Sequence, residues 1–115
     1  MNAGASAVIA PLTRRRIFGT EEEAVRELLR DYTLRQIAAL QRQIGRFERK
    51  YGMPLRRFAE YVGERCALLE AGGLSSRQRQ TLGRALMQEE DDWLEWKVAT
   101  EMLESWLGLR QEVPV

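Results

Sequence analysis

The chain has 115 residues, of which 44% are hydrophobic and 30% are charged, and its formal net charge is +1. This length and composition predict one soluble globular domain with a modest core, and they exclude a disordered chain. The lack of histidine excludes histidine-based catalysis and histidine-ligated metal sites, and the single cysteine excludes an intrachain disulfide and a cysteine-cluster zinc site. We therefore predict a protein that is not an enzyme and that uses no cofactor or metal.

The N-terminal residues do not have the pattern of a signal peptide. Residues 1–12 are small and mildly apolar, no positive charge precedes them, and Arg14, Arg15 and Arg16 follow them. No apolar run elsewhere reaches the length of a membrane-spanning helix, about 18 residues. We expect a cytoplasmic protein without membrane contact, in which Cys66 is a reduced core thiol.

The first segment in chain order is predicted to be a short extended N-terminal arm over residues 1–19. Pro11 lies within its apolar part and lacks a backbone N–H, so this stretch can form at most an edge strand. A long helix should follow, because Thr20 and Glu23 form a T-x-x-E capping box. Gly52 marks its end after some thirty residues, roughly 45 Å.

The apolar positions along the long helix predict which face is buried. The second half of the helix carries apolar residues spaced three and four apart: Ile37, Leu40, Ile44, Phe47 and Tyr51. This spacing is typical of a helix that packs on another helix. A helix of this length outreaches a compact domain of this size, which favours a homo-oligomer, most simply a dimer.

A second helix is predicted from about Pro54 to Ala71, and Gly72 and Gly73 end it. Its apolar stripe consists of Leu55, Phe58, Val62, Cys66 and Leu69. Ser75 and Gln78 form a second capping box that begins a third helix.

The acidic run at residues 89–92 allows two interpretations of the C-terminal part. Either the third helix continues through the run, or Asp92 and Glu95 cap a fourth helix. Apolar spacing continues in either case through Trp93, Trp96, Thr100, Leu103 and Leu107, and Gly108 is predicted to end the last helix. The sequence thus predicts an all-α, bundle-like protein of three to four helices. Its single helical domain spans residues 20–108 and is followed by a C-terminal tail at 109–115.

The small net charge hides a strong asymmetry along the chain. Residues 35–57 contain seven basic residues and one acid, whereas residues 85–115 contain eight acids and two basic residues. Arg42, Arg46 and Lys50 share one helix face and repel one another unless something neutralises them. Three accounts are open: packing against the acidic last helix in one chain or across a dimer, a protein partner, or nucleic acid.

The densest unusual feature is the segment EEDDWLEW at residues 89–96. Its acids and tryptophans are the candidate partner-binding residues Glu89, Glu90, Asp91, Asp92, Trp93 and Trp96. The acids do not have the spacing of an EF-hand loop, and no Glu-x-x-His motif of a di-iron bundle is present. The tryptophans either fill the domain's own core or, in at least one case, anchor an interface.

Four features of the sequence together resemble small helical antitoxin-like proteins of prokaryotic toxin–antitoxin loci. The long helix opens with EEAVREL at residues 22–28, and FERKYGM follows at 47–53. Phe58 comes next, and an acidic stretch then ends in Glu95 and Trp96. The resemblance covers about residues 20–107.

The resemblance implies a non-enzymatic antitoxin that masks a small cognate toxin through its acidic, tryptophan-bearing C-terminal half. Two alternatives stay open. The first is a DNA-binding transcriptional regulator that uses the basic face of the long helix together with the arginine cluster, namely Arg42, Arg46, Lys50, Arg14, Arg15 and Arg16. The second is a self-associating helical protein of unknown role.

Overall fold

The structure is a computed structural model that describes residues 3–112 and contains four helices over that range. In chain order they are α1 (Ala3–Arg14), α2 (Glu21–Tyr51), α3 (Leu55–Ala71) and α4 (Ser76–Glu112). No strand occurs among the residues described. The prediction of an all-α fold with three to four helices is confirmed.

The extended N-terminal arm is wrong for residues 3–14, which form α1. Alanine has the highest helix propensity, and the segment AGASAVIAPLTR is rich in it. Pro11 lies in the last turn of α1, where its missing N–H removes one hydrogen bond of the helix, and Ala7, four residues earlier, is exposed. The helix continues past Pro11, since the backbone N–H of Arg15 donates to the Pro11 carbonyl at 3.0 Å.

The N-terminus of α2 is capped in nearly the predicted way. The backbone N–H of Glu23 donates to Thr20 Oγ1 at 3.0 Å. The Glu23 carboxylate reaches one residue further back than expected and accepts from the backbone N–H of Gly19 at 3.1 Å. At the other end, Gly52 has a φ of +65°, and its N–H donates to the Glu48 carbonyl at 2.7 Å. The predicted ends of the long helix are therefore confirmed.

Helix α4 is one uninterrupted helix of 37 residues. It begins with the predicted capping box, in which Gln78 N–H donates to Ser75 Oγ at 3.1 Å and Ser75 N–H donates to Gln78 Oε1 at 2.9 Å. It runs through the acidic residues 89–92 without a break, so the continuous interpretation is correct. It also passes Gly108 and ends at Glu112, so residues 109–112 are helical rather than part of a tail. The rest of the predicted tail, 113–115, lies outside the described residues.

The chain divides into two compact units. Of the described residues, 3–38 and 105–112 form the first unit, and 39–104 form the second. This division does not coincide with the predicted boundary between arm and domain at residue 20, because α1 and the first half of α2 belong to the same unit. Within the first unit, Ser6 Oγ donates to Glu21 Oε2 at 3.1 Å, and Tyr32 packs edge-on against Trp106.

The main hydrophobic core belongs to the second unit. Phe58, Val62, Leu86 and Trp96 are its buried members. The predicted apolar faces of α2 and α3 pack around them through the half-buried residues Ile44, Phe47, Tyr51, Leu55, Cys66 and Leu69. The spacing of apolar residues therefore predicted the buried face of α3 and of the second half of α2 correctly.

Candidate functional site

The acidic and tryptophan residues of α4 divide between two faces of the helix. Glu89, Asp92 and Trp96 are buried, whereas Glu90 and Asp91 are exposed and Trp93 is half-buried. Residues three and four apart share a helix face, so the buried three form one row and the exposed acids point elsewhere. Three of the six candidate partner-binding residues are thus enclosed within their own chain.

Asp92 is the centre of a polar network between α2 and α4. Lys50 Nζ donates to Asp92 Oδ2 at 2.6 Å, and the Tyr51 hydroxyl donates to the same oxygen. Gln88 Nε2 donates to Asp92 Oδ1 at 3.0 Å. Both carboxylate oxygens therefore have partners, which is what a buried charge requires.

The network shifts the proton affinities of two of its members. Burial alone raises the pKa of Asp92, but hydrogen bonds from Lys50, Tyr51 and Gln88 outweigh it and hold that pKa below its usual range. The pKa of Tyr51 is raised, first by burial and then by its hydrogen bond to the Asp92 carboxylate. At neutral pH Asp92 is therefore an anion and Tyr51 a neutral donor.

A second buried acid of α4, Glu89, faces Arg65 of α3. Arg65 Nε lies 3.2 Å from Glu89 Oε2, which is an ion-pair distance, although the geometry is not that of a hydrogen bond. Arg65 also donates to the Tyr61 hydroxyl, and its guanidinium lies over the Tyr61 ring at 5.0 Å. Glu89 thus links α4 to α3, and Asp92 links α4 to α2.

Trp96 occupies the middle of the core, with 1% of its surface exposed. Its ring stacks on Phe47 at 5.6 Å and on Phe58 at 5.5 Å between centroids. Tyr51 completes the group, with its ring 4.1 Å from that of Phe58. Of the two interpretations of Trp96, the structure supports a core residue.

The exposed part of the segment borders a groove between α3 and α4, here called the acidic groove, of about 490 Å³. Ala59, Val62 and Gly63 of α3 line one side, and the α4 side is lined by Glu90, Asp91, Trp93 and Leu94. Three candidate residues thus meet at one surface. The sequence analysis did not identify the α3 side of the groove. The feature that could have indicated it is a pair of small residues four apart, Ala59 and Gly63.

The acids of the groove have no basic partner in the part of the chain that the structure describes. Among residues 3–112, neither Glu90 nor Asp91 forms an ion pair with a lysine or arginine of this chain. Glu90 accepts a hydrogen bond from Cys66 Sγ at 3.4 Å. Burial and the neighbouring Glu90 carboxylate raise the pKa of this half-buried thiol, which keeps Cys66 protonated at neutral pH.

The predicted basic face of α2 is only partly neutralised. Lys50 pairs with Asp92, so the first of the three accounts, packing of the basic helix beside the acidic one within one chain, holds for that residue. Arg42 and Arg46 are exposed and form no ion pair within the described range. Arg14, Arg15 and Arg16 are exposed at the end of α1, in the other unit.

The chain matches no family model, no curated protein and no solved structure with significant similarity. The resemblance to antitoxins therefore stays a prediction. No helix within residues 3–112 is both long enough and apolar enough to cross a membrane. Over the same range, no three cysteine or acidic side chains come together as a set of metal ligands.

Proposed function

We propose that this chain is a non-enzymatic protein-binding module that holds a basic amphipathic helix of its partner in the acidic groove. The observation that carries the proposal is an apolar groove edged by two carboxylates, Glu90 and Asp91, that form no ion pair among residues 3–112. A lysine or arginine of the bound helix would neutralise them, and charge complementarity of this kind speeds encounter and excludes wrong partners.

The walls of the groove suit a helix in particular. Gly63 and Ala59 present little side-chain bulk, so a partner backbone can approach α3 closely. Trp93 and Leu94 supply apolar area on the α4 side, and tryptophan is enriched among residues that dominate binding energy. Helix-in-groove recognition uses this combination of an apolar floor and a charged rim.

By the resemblance to antitoxins, the partner would be a small basic toxin, and the complex would cover the active surface of that toxin. Buried Glu89, Asp92 and Trp96 would then support the groove from within, and Glu90, Asp91 and Trp93 would contact the toxin. The proposal places both proteins in the cytoplasm, where a free thiol such as Cys66 stays reduced.

A pull-down from the native cell with matched variants tests this proposal. Gly63→Leu should fill the groove without disturbing the fold, since a Cβ at Gly63 meets nothing within 4 Å. Gly83→Leu is the control, because Gly83 is also helical with open space around it and does not line the groove. Asp91→Lys reverses a rim charge.

We expect the wild-type chain and Gly83→Leu to retain one small, basic, stoichiometric protein that Gly63→Leu and Asp91→Lys lose. That protein should arrest growth when it is expressed alone, and co-expression of the wild-type chain should restore growth. A retained protein that binds all four chains equally would contradict the groove. A partner that has no effect on growth would contradict the antitoxin role and leave the groove as its binding site.

A further inference from the structure

A row of arginines covers the outer face of the second half of α2. Arg42, Arg46 and Arg49 are exposed and follow one another at spacings of four and three residues. Residues with this spacing share one face of a helix, which is here called the arginine face. Ile44 and Phe47 of the same turns pack on the core, so the arginine face points away from it.

No acid of the described chain neutralises the arginine face. Among residues 3–112, none of its three arginines forms an ion pair. Glu48 is the single acid of residues 39–51, and it is not three or four residues from any of them, so it lies off their face. The first half of α2 differs, because there Arg35 pairs with Asp31, one turn earlier, at 3.0 Å.

Gly45 brings the three positive charges closer together. A Cβ at Gly45 would lie 3.2 Å from Arg49 Nη1, so the guanidinium of Arg49 reaches one turn back and occupies the space beside the glycine. Gly45 adjoins Arg46 in sequence and is three residues from Arg42. Like charges on neighbouring turns destabilise a helix, so an anion from outside the chain would stabilise this arrangement.

The side chains of the arginine face indicate the kind of anion. Guanidinium groups suit phosphate, and Ala39, one turn before Arg42, is the largest apolar residue on this face within residues 39–50. A membrane-binding helix needs large apolar residues beside its basic ones, and a protein interface needs apolar or aromatic anchors. Single-stranded nucleic acid binds by stacking on aromatic side chains. The phosphate backbone of a duplex needs neither kind of residue.

The length of the arginine face fits one strand of DNA. Arg42 and Arg49 are seven residues apart, which is about 10 Å along the helix axis. One strand of B-DNA carries a phosphate about every 3.4 Å along its axis, so the face spans about three phosphates. The major groove beside that strand is wide enough to admit a helix, whereas the major groove of duplex RNA is narrow. DNA is therefore favoured over RNA.

We propose that the arginine face binds the phosphate backbone of double-stranded DNA. Contacts of this kind position a protein on the duplex, and they depend little on base sequence. The inference does not rest on the proposed protein partner, because none of the three arginines lines the acidic groove.

Fluorescence anisotropy of the full chain with labelled DNA duplexes, between about 50 and 200 mM salt, tests the proposal. The test variant replaces the whole arginine face: Arg42→Gln, Arg46→Gln and Arg49→Gln. The matched control removes the same charge from three exposed arginines of α4 that also form no ion pair in the described range but are not three or four residues apart: Arg77→Gln, Arg79→Gln and Arg84→Gln. Circular dichroism checks that both variants keep their helices, and Arg46→Gln alone is a milder variant.

We expect the wild-type chain to bind unrelated duplex sequences with similar affinity. Three phosphate contacts predict a slope of about −2.7 in a plot of log affinity against log salt, or about 40-fold weaker binding at the higher salt. The triple variant of the arginine face should bind at least about tenfold more weakly at the lower salt, and Arg46→Gln should reduce the slope by about 0.9. The α4 control should bind like the wild-type chain.

Three results would overturn the proposal. The first is a wild-type chain that does not bind duplex DNA at the lower salt. The second is an equal loss of affinity in the arginine-face variant and the α4 control, which would show that only net charge matters. The third is tighter binding to duplex RNA, to single-stranded DNA or to phosphatidylserine vesicles than to duplex DNA.

Discussion

Lys50 Nζ lies 2.6 Å from Asp92 Oδ2 and joins the C-terminal end of α2 to the middle of α4 across 42 residues of sequence. The side chain of Lys50 is half-exposed and flexible. The buried Asp92 carboxylate fixes the position of its ammonium group. Part of the acidic run at residues 89–92 therefore contributes to the fold of this chain. Under the proposed function, the outward pair Glu90 and Asp91 is the part of the run that a partner would contact.

Replacing Asp92 tests how much the network contributes to stability. We expect Asp92→Ala to lower the free energy of unfolding by about 1–3 kcal/mol, since it leaves Tyr51 and Gln88 without their shared acceptor. Lys50→Ala should cost less, because that side chain is half-exposed and regains water. Urea denaturation of both single variants and the double variant measures their coupling. Effects that add without coupling would show that the two side chains do not stabilise each other.

The lowered pKa of Asp92 predicts a loss of stability in acid. A carboxyl group whose pKa is lower in the folded than in the unfolded state stabilises the fold above its unfolded pKa, about 3.9. That contribution disappears as the pH falls through the lower, folded pKa. The free energy of unfolding should therefore fall below about pH 4 more steeply for the wild-type chain than for Asp92→Asn. Parallel curves for the two proteins would contradict the assignment.

Trp96 should be the most sensitive position of the core. Trp96→Ala removes the ring that stacks on Phe47 and Phe58, and we expect a loss of about 3–5 kcal/mol, enough to unfold a marginal domain. Trp93→Ala is the matched comparison and should cost less, since Trp93 is only half-buried. Thermal denaturation followed by circular dichroism compares them, and an equal loss for both would place Trp93 in the core.

Two glycines should respond to alanine with opposite signs. Gly63 lies within α3, and a Cβ there meets nothing within 4 Å, so Gly63→Ala should stabilise the fold by up to about 1 kcal/mol. Gly52 has a φ of +65°, which an alanine adopts only with strain, so Gly52→Ala should destabilise it. Chemical denaturation of both variants measures the sign of each change in the free energy of unfolding. Stabilisation by Gly52→Ala would mean that α2 does not end in this conformation.

The helix boundaries were predictable because their signals are local. Thr20, Gly52 and Ser75 each act on backbone groups within four residues, so sequence alone indicated where α2 and α4 begin and where α2 ends. The extended arm was wrong because the alanines around Pro11 favour a helix and outweigh the effect of this proline. A proline close to a helix end loses one hydrogen bond, and the remaining residues still favour the helix.

Which residues of the acidic segment are buried and which are exposed was not predictable in the same way. Apolar spacing put Trp93 and Trp96 on one row, whereas the buried row runs through Glu89, Asp92 and Trp96. A carboxylate is buried only where a cation meets it, and here the cations are Lys50 and Arg65 of other helices. Since such pairing depends on how helices pack, the sequence identified the segment but not which of its residues face outward.

Under the proposed function, the outward residues of α4 and the small side chains of α3 form one binding surface. Isothermal titration calorimetry of the purified partner against the wild-type chain, Gly63→Leu and Gly83→Leu tests it most directly. We expect equal affinity for the wild-type chain and Gly83→Leu, and a loss of at least about a hundredfold for Gly63→Leu with its helical content unchanged. Wild-type affinity in a folded Gly63→Leu variant would contradict it, because the partner would then bind elsewhere.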